Sequence, residues 1–167
     1  MRVFLGIPII SKQLTQLQDS LKSDGYSVNP KAHLTLKFFG SILEKKVEEI
    51  HTKLLKLRVS SFYIRLDGIN TFPNNRRVLW VGASSDALIR LHEQIDAALQ
   101  DIFHEDAGFT PHLTLARSKR GFPAVAVKNY QTKFTPEQHL VNEYHLYESV
   151  PGDLHHTYTV LHTYILQ

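Results

Sequence analysis

The sequence predicts a mixed α+β protein built from two similar lobes, on three grounds. The tetrapeptide His-Leu-Thr-Leu occurs twice, at residues 33–36 and 112–115. Short β-branched and aromatic runs alternate with longer stretches whose apolar residues recur every three or four positions. Each tetrapeptide also follows an upstream strand-and-helix segment, and no Gly/Ser-rich or Pro-rich linker separates the copies, so the halves are expected to pack directly. At 167 residues, with 43% hydrophobic and 21% charged side chains, the chain is long enough to bury one core.

Taken in order, residues 3–7 read as a buried strand punctuated by Gly6 and Pro8. From Ser11, Leu14, Leu17 and Leu21 recur at helical spacing, with Ile10 as an entry contact, until Asp24-Gly25 stops the pattern. Residues 32–39 hold the first motif in a strand closed by Gly40. Ser41 stands three before Glu44, a capping-box signature, and Leu43, Val47, Ile50, Leu54 and Leu57 make a second helical stripe. Phe62, Ile64 and Leu66 alternate with polar neighbours as a half-buried strand does. Residues 76–81 return as the other arm of a hairpin whose connection, with Pro73, Asn74 and Asn75, reads as longer than a two-residue turn. Ser84 or Ser85 caps a third helix with the stripe Leu88, Leu91, Ile95, Ala98, Leu99 and Ile102. The second motif lies in a strand over 109–117, with Pro111 suited to its start. A basic loop at 119–123, a short helix at 124–130 and two alternating runs at 140–148 and 158–166, read as strands, complete the chain.

The absence of cysteine excludes disulfides, thiolate zinc sites and a cysteine nucleophile. A net charge of +3 and a pI near 9.1 tilt the expectation toward polyanionic partners. The N-terminal apolar run is too short for a signal peptide and no window approaches a membrane span, so a soluble cytoplasmic protein, not bound to a membrane, is expected.

In extended backbone the His and Thr of each motif share one face and the two Leu the other. Imidazole titrates near neutral pH, so a pair can hold one base and one acid together, and each threonine hydroxyl can donate a hydrogen bond to an anion. Lys37 falls on the same face by parity, with plain solvation at the strand end as the other outcome. The ten histidines, His155-His156 among them, invite a metal reading, but no His-Glu-x-x-His spacing supports it and no metal is expected. His51, His92 and His104, in or beside the helices, read as surface or core residues.

The wider pattern is His-Leu-Thr-Leu-Lys-Phe-Phe-Gly at 33–40, Phe72-Pro73 with Arg77-Val78-Leu79-Trp80, and His-Leu-Thr-Leu-Ala-Arg at 112–117. A proline (Pro30, Pro111) precedes each motif, and Leu146-Tyr147-Glu148-Ser149 and Tyr158 follow. In these features the chain resembles the 2H phosphoesterases, and among them the bacterial and archaeal RNA 2′,3′-cyclic phosphodiesterases once called 2′-5′ RNA ligases. The resemblance implies a bilobal, pseudo-symmetric domain over residues 1–167, with two antiparallel sheets flanking a central cleft and helices outside. It implies hydrolysis of RNA 2′,3′-cyclic phosphate ends to 2′-phosphomonoesters, with 2′-5′ ligation as a further capacity and no metal or nucleotide cofactor. His33 is then the proton donor and His112 the acceptor, roles that can be exchanged, while Thr35 and Thr114 bind the phosphate. Arg117 is expected near the phosphate, with a rim salt bridge as the alternative. Phe72 and Phe109 are candidates to stack a base, as are Trp80 and Phe122, with core packing favoured for Trp80. Arg77 and Lys119, with Arg76 and Arg120, are candidates to track an RNA backbone. The expected partner is RNA bearing such ends, tRNA fragments included, acted on by a monomer. Competing readings are a small cyclic nucleotide, a 2′-5′ oligonucleotide or an ADP-ribose cyclic phosphate as substrate, or a non-catalytic module that holds RNA ends.

Overall fold

The structure is a computed structural model and describes residues 1–29, 31–104, 108–153 and 155–167. Pro30 lies outside the described residues. The elements run β1 (Arg2–Pro8), α1 (Lys12–Ser23), β2 (His33–Ser41), α2 (Glu44–Leu54), β3 (Phe62–Phe72), β4 (Asn75–Ser84), α3 (Asp86–Leu99), β5 (His112–Arg117), α4 (Ala124–Thr132), β6 (Glu137–Val141), β7 (Glu143–Val150) and β8 (Thr157–Ile165). No helix among the described residues is long and apolar enough to cross a membrane.

The strands form one antiparallel ladder in the order β6-β3-β4-β5-β2-β1-β7-β8. The two sheets expected from the sequence are its two halves, and they meet where Leu34 of β2 pairs with Leu113 of β5. Both leucines are fully buried, so either one cut to alanine costs about 2–5 kcal/mol. Around this pair the chain repeats itself: β1-α1-β2-α2 in one half corresponds to β4-α3-β5-α4 in the other.

The alternating run at 140–148 is two strands in the structure. β6 pairs with β3 and β7 with β1, and Asn142 alone separates them. A residue spans at most about 3.6 Å, so the ladder curls until its far ends approach one another. Hydrogen bonds tie those ends: Leu166 N to Asn142 O at 2.8 Å, Ser61 N to Gln167 O at 2.9 Å and Gln167 N to Val59 O at 3.0 Å.

Ser11 and Ser85 cap α1 and α3 by accepting from the amides of Leu14 and Leu88. The capping box expected at Ser41 does not form, because Ser41 is still in β2 opposite Arg2, and α2 starts from Leu43 without a side-chain cap. Leu43 and Ile10, expected to pack, are 78% and 93% exposed at chain reversals that turn them outward. The hairpin connection is shorter than expected. Phe72 pairs with Asn75 around a two-residue turn, and a register shift next to it absorbs the extra length of β4.

A β-bulge sits at the same place in both motif strands. Leu5 and Gly6 pair with Lys37 and Thr35, leaving Leu36 out; Leu79 and Trp80 pair with Ala116 and Thr114, leaving Leu115 out. An extra residue reverses the alternation beyond it. Lys37 therefore turns away from the cleft face on which parity had placed it. It is 3% exposed, with Nζ 2.6 Å from Asp96 Oδ1 and 3.2 Å from His104 O. Phe38 takes the cleft face instead.

Candidate active site

The register about Leu34 and Leu113 sets His33 across from Thr114 and Thr35 across from His112. The four polar side chains thus lie at the corners of a square on the face opposite the leucines, with the histidines on one diagonal. All four line a cleft of about 500 Å³.

Each imidazole is held the same way. His33 Nδ1 lies 3.0 Å from Lys31 O, and His112 Nδ1 lies 2.7 Å from Thr110 O, in both cases the carbonyl two residues upstream. A carbonyl only accepts, so Nδ1 carries the hydrogen and Nε2 is the atom free to take or give a proton. Burial pulls the His33 pKa below its ordinary value, the bond to Lys31 O opposes this, and the neighbouring charge of His112 lowers it further. The two rings therefore sense each other electrostatically.

Among the described residues, neither the Thr35 nor the Thr114 hydroxyl is engaged in a hydrogen bond, and no carboxylate forms an ion pair with Arg117 or lines the cleft. The salt bridge considered for Arg117 is not made among the described residues. Arg2, Lys31 and Arg117 all line the cleft, so it presents cations and unengaged donors, which suit an anion. Arg117 is anchored by its backbone, which exchanges two hydrogen bonds with Ser27, at 2.8 and 3.1 Å.

Aromatic rings brace both histidines. Phe4 and Tyr158 lie 4.9 and 4.8 Å from His33, while Phe72 meets His112 edge-on at 5.1 Å and Trp80 lies at 6.0 Å. Burial raises the Tyr158 pKa, and the charges of Arg117 and Arg2 oppose that rise. Asn29 Nδ2 donates to the Tyr158 hydroxyl oxygen at 2.8 Å.

Other candidates lie elsewhere. Phe72 sits behind His112 and outside the cleft lining, and Phe109 lies face to face with His92 at 4.0 Å. Phe122 is 1% exposed and packed on Tyr26, so it belongs to the core. Arg76, Arg77, Lys119 and Arg120 are exposed and outside the cleft lining. Sequence reasoning missed Arg2, Phe4, Lys31, Phe38, His155 and His156, which do line it. A usable signal existed for Phe38: it stands five residues past its motif histidine, as Arg117 does.

Comparison with known proteins shows the family and the fold. The model of the 2′-5′ RNA ligase superfamily matches residues 8–153. An RNA 2′,3′-cyclic phosphodiesterase of Methanocaldococcus jannaschii is 35% identical over 127 residues, which cover 71% of this chain and 72% of the relative. One from Archaeoglobus fulgidus is 30% identical over 162 residues, covering 90% and 92%. The crystal structure of a Thermus thermophilus protein matches with a TM-score of 0.81 at 26% identity, over 99% of this chain and 98% of that one. Escherichia coli LigT shares the fold, with a TM-score of 0.76 at 23% identity over 99% and 97%. The chain, with its paired motifs facing one cleft, belongs to the 2′-5′ RNA ligase superfamily of 2H phosphoesterases.

Proposed function

We propose that this protein hydrolyses RNA 2′,3′-cyclic phosphate ends to 2′-phosphomonoesters. The observation that carries this is the square of two Nε2-presenting imidazoles and two unengaged hydroxyls in a cation-lined cleft. Proteins 35% and 30% identical to this chain are named RNA 2′,3′-cyclic phosphodiesterases.

In this reading the phosphate sits at the centre of the square. His112 Nε2 takes a proton from water as the water oxygen bonds to phosphorus. The bond from phosphorus to the 3′-oxygen breaks, and His33 Nε2 gives its proton to that oxygen. Thr35 and Thr114 donate to the non-bridging oxygens as charge builds on them, and Arg117 holds the phosphate from the rim. The lowered pKa of His33 in the free protein disfavours the acid form; the negative phosphate beside it favours that form once substrate is bound. With a 5′-hydroxyl in place of water, the same steps give a 2′-5′ linkage. The relevant substrates are RNA fragments with cyclic ends, tRNA fragments included. The cleft is built within one chain, so a monomer suffices, acting in the cytoplasm.

The test is incubation of an oligonucleotide ending in a 2′,3′-cyclic phosphate with the protein in excess EDTA. A 2′-phosphate product is expected. Binding without product would replace the enzymatic reading with a holding function, and loss of turnover on chelation would count against proton transfer by the imidazoles alone.

A further inference from the structure

The helices that precede the two motif strands carry a second repeat. In each, the capping serine is followed by a leucine at three and again at six positions, and by a long polar side chain at seven: Ser11, Leu14, Leu17 and Gln18 in α1, Ser85, Leu88, Leu91 and His92 in α3. Gln18 and His92 are each only 6% exposed, although a polar residue on the apolar stripe of a helix is costly to bury without partners.

Each has a partner across the pseudo-twofold, and Gln18 a second one, Asn29, in its own half. Gln18 Nε2 donates to Leu115 O of β5 at 3.3 Å and to Asn29 O at 2.8 Å, and His92 Nδ1 lies 3.0 Å from Leu36 O of β2. Leu36 and Leu115 are the bulge residues of the two motif strands. A bulge takes its extra residue out of the ladder, so its buried carbonyl needs a donor from elsewhere. The bulge also decides which side chains reach the cleft: beyond it Phe38 lines the cleft where unbroken alternation would present Lys37, and in the other strand Arg117 joins Ala116 in the lining.

We propose that Gln18 and His92 are positioning residues, each clamping the bulge in the opposite half's motif strand so that Thr35 and Thr114, and Phe38 and Arg117 beyond them, stay aimed into the cleft. The clamps cross between halves, so each also fixes where one histidine stands relative to the other. The catalytic consequence rests on the functional reading above; the clamp itself does not.

The test uses His92→Leu and Gln18→Met, which keep bulk and remove the donor, and His92→Asn, whose side-chain amide nitrogen stands where Nδ1 stood. Two quantities are read: the ¹³C shifts of the Leu36 and Leu115 carbonyls without substrate, and kcat and KM on a cyclic-phosphate oligonucleotide. His92→Leu should move the Leu36 carbonyl and lower kcat about tenfold with KM within about twofold, since small displacements of catalytic groups are expensive in rate. Gln18→Met should do the same through Leu115, and His92→Asn should restore both readouts at Leu36. A folded His92→Leu or Gln18→Met variant with an unmoved carbonyl and unchanged kcat overturns the proposal. So does a His92→Asn variant as impaired as His92→Leu, which would assign the effect to packing. If the unmodified protein shows no turnover, the functional reading fails and the carbonyl shifts alone decide the clamp.

Discussion

The two halves of the cleft share a backbone plan, yet the rings and charges around their histidines differ. His33 sits among Phe4, Tyr147 and Tyr158, and burial pushes its pKa down; His112 is braced by Phe72 and Trp80 on one side. Five residues past each histidine, one half offers Phe38, with Arg2 held 4.7 Å over its ring, and the other offers the Arg117 guanidinium itself. The shared part is what a two-sided proton transfer needs: two imidazoles with the same tautomer, facing each other diagonally. The unshared part makes the two halves of the cleft chemically different, an aromatic ring beneath a cation in one and a cation alone in the other.

Four measurements break or sharpen that comparison. Replacing either histidine by alanine should lower kcat about 10³-fold or more, with the melting temperature nearly unchanged, because each half supplies one transfer the other cannot. A single variant at full rate removes its half from the chemistry. Thr35→Val and Thr114→Val should each cost about 10²-fold in kcat; unequal losses would measure how far the phosphate sits from the centre of the square. Arg117→Met should raise KM about tenfold through the loss of a charged hydrogen bond, while Phe38→Leu, at the equivalent position, should raise it less. The pH profile separates the histidines most finely. Burial holds His33 below its usual pKa in the free protein, and a bound phosphate raises it. The limb that reports His33 should therefore lie at higher pH in kcat than in kcat/KM. Superposed profiles would show that His33 does not sense the phosphate.

The two motifs, both capped helices and most strands were legible because each is a local pattern: alternation, a leucine stripe, a serine before it. What escaped depends on partners distant in sequence. The run at 140–148 reads by its letters as one alternation through Leu140, Tyr144 and Leu146, but where the chain leaves β3 for β1 the buried face shifts from Val141 to Tyr144 and Leu146, and Leu140 is left exposed. The bulges at Leu36 and Leu115 are set by pairing with β1 and β4, and with them the burial of Lys37 against Asp96, 59 residues away. Ser41 matched a capping box, but pairing with Arg2 holds it in the sheet. In the site, the histidines and threonines were found by their letters. Arg2, Lys31 and His155-His156 reach the cleft from β1 and two loops whose sequence carries no mark of it.

The central claim is that two imidazoles from two halves serve one phosphate. The most direct test is to follow the Nε2 resonances of His33 and His112 by NMR while adding an oligonucleotide with a terminal 2′-phosphate, the proposed product. The account predicts that both resonances shift with one midpoint, saturating at one ligand per chain. A shift in only one ring, or two different midpoints, would contradict it.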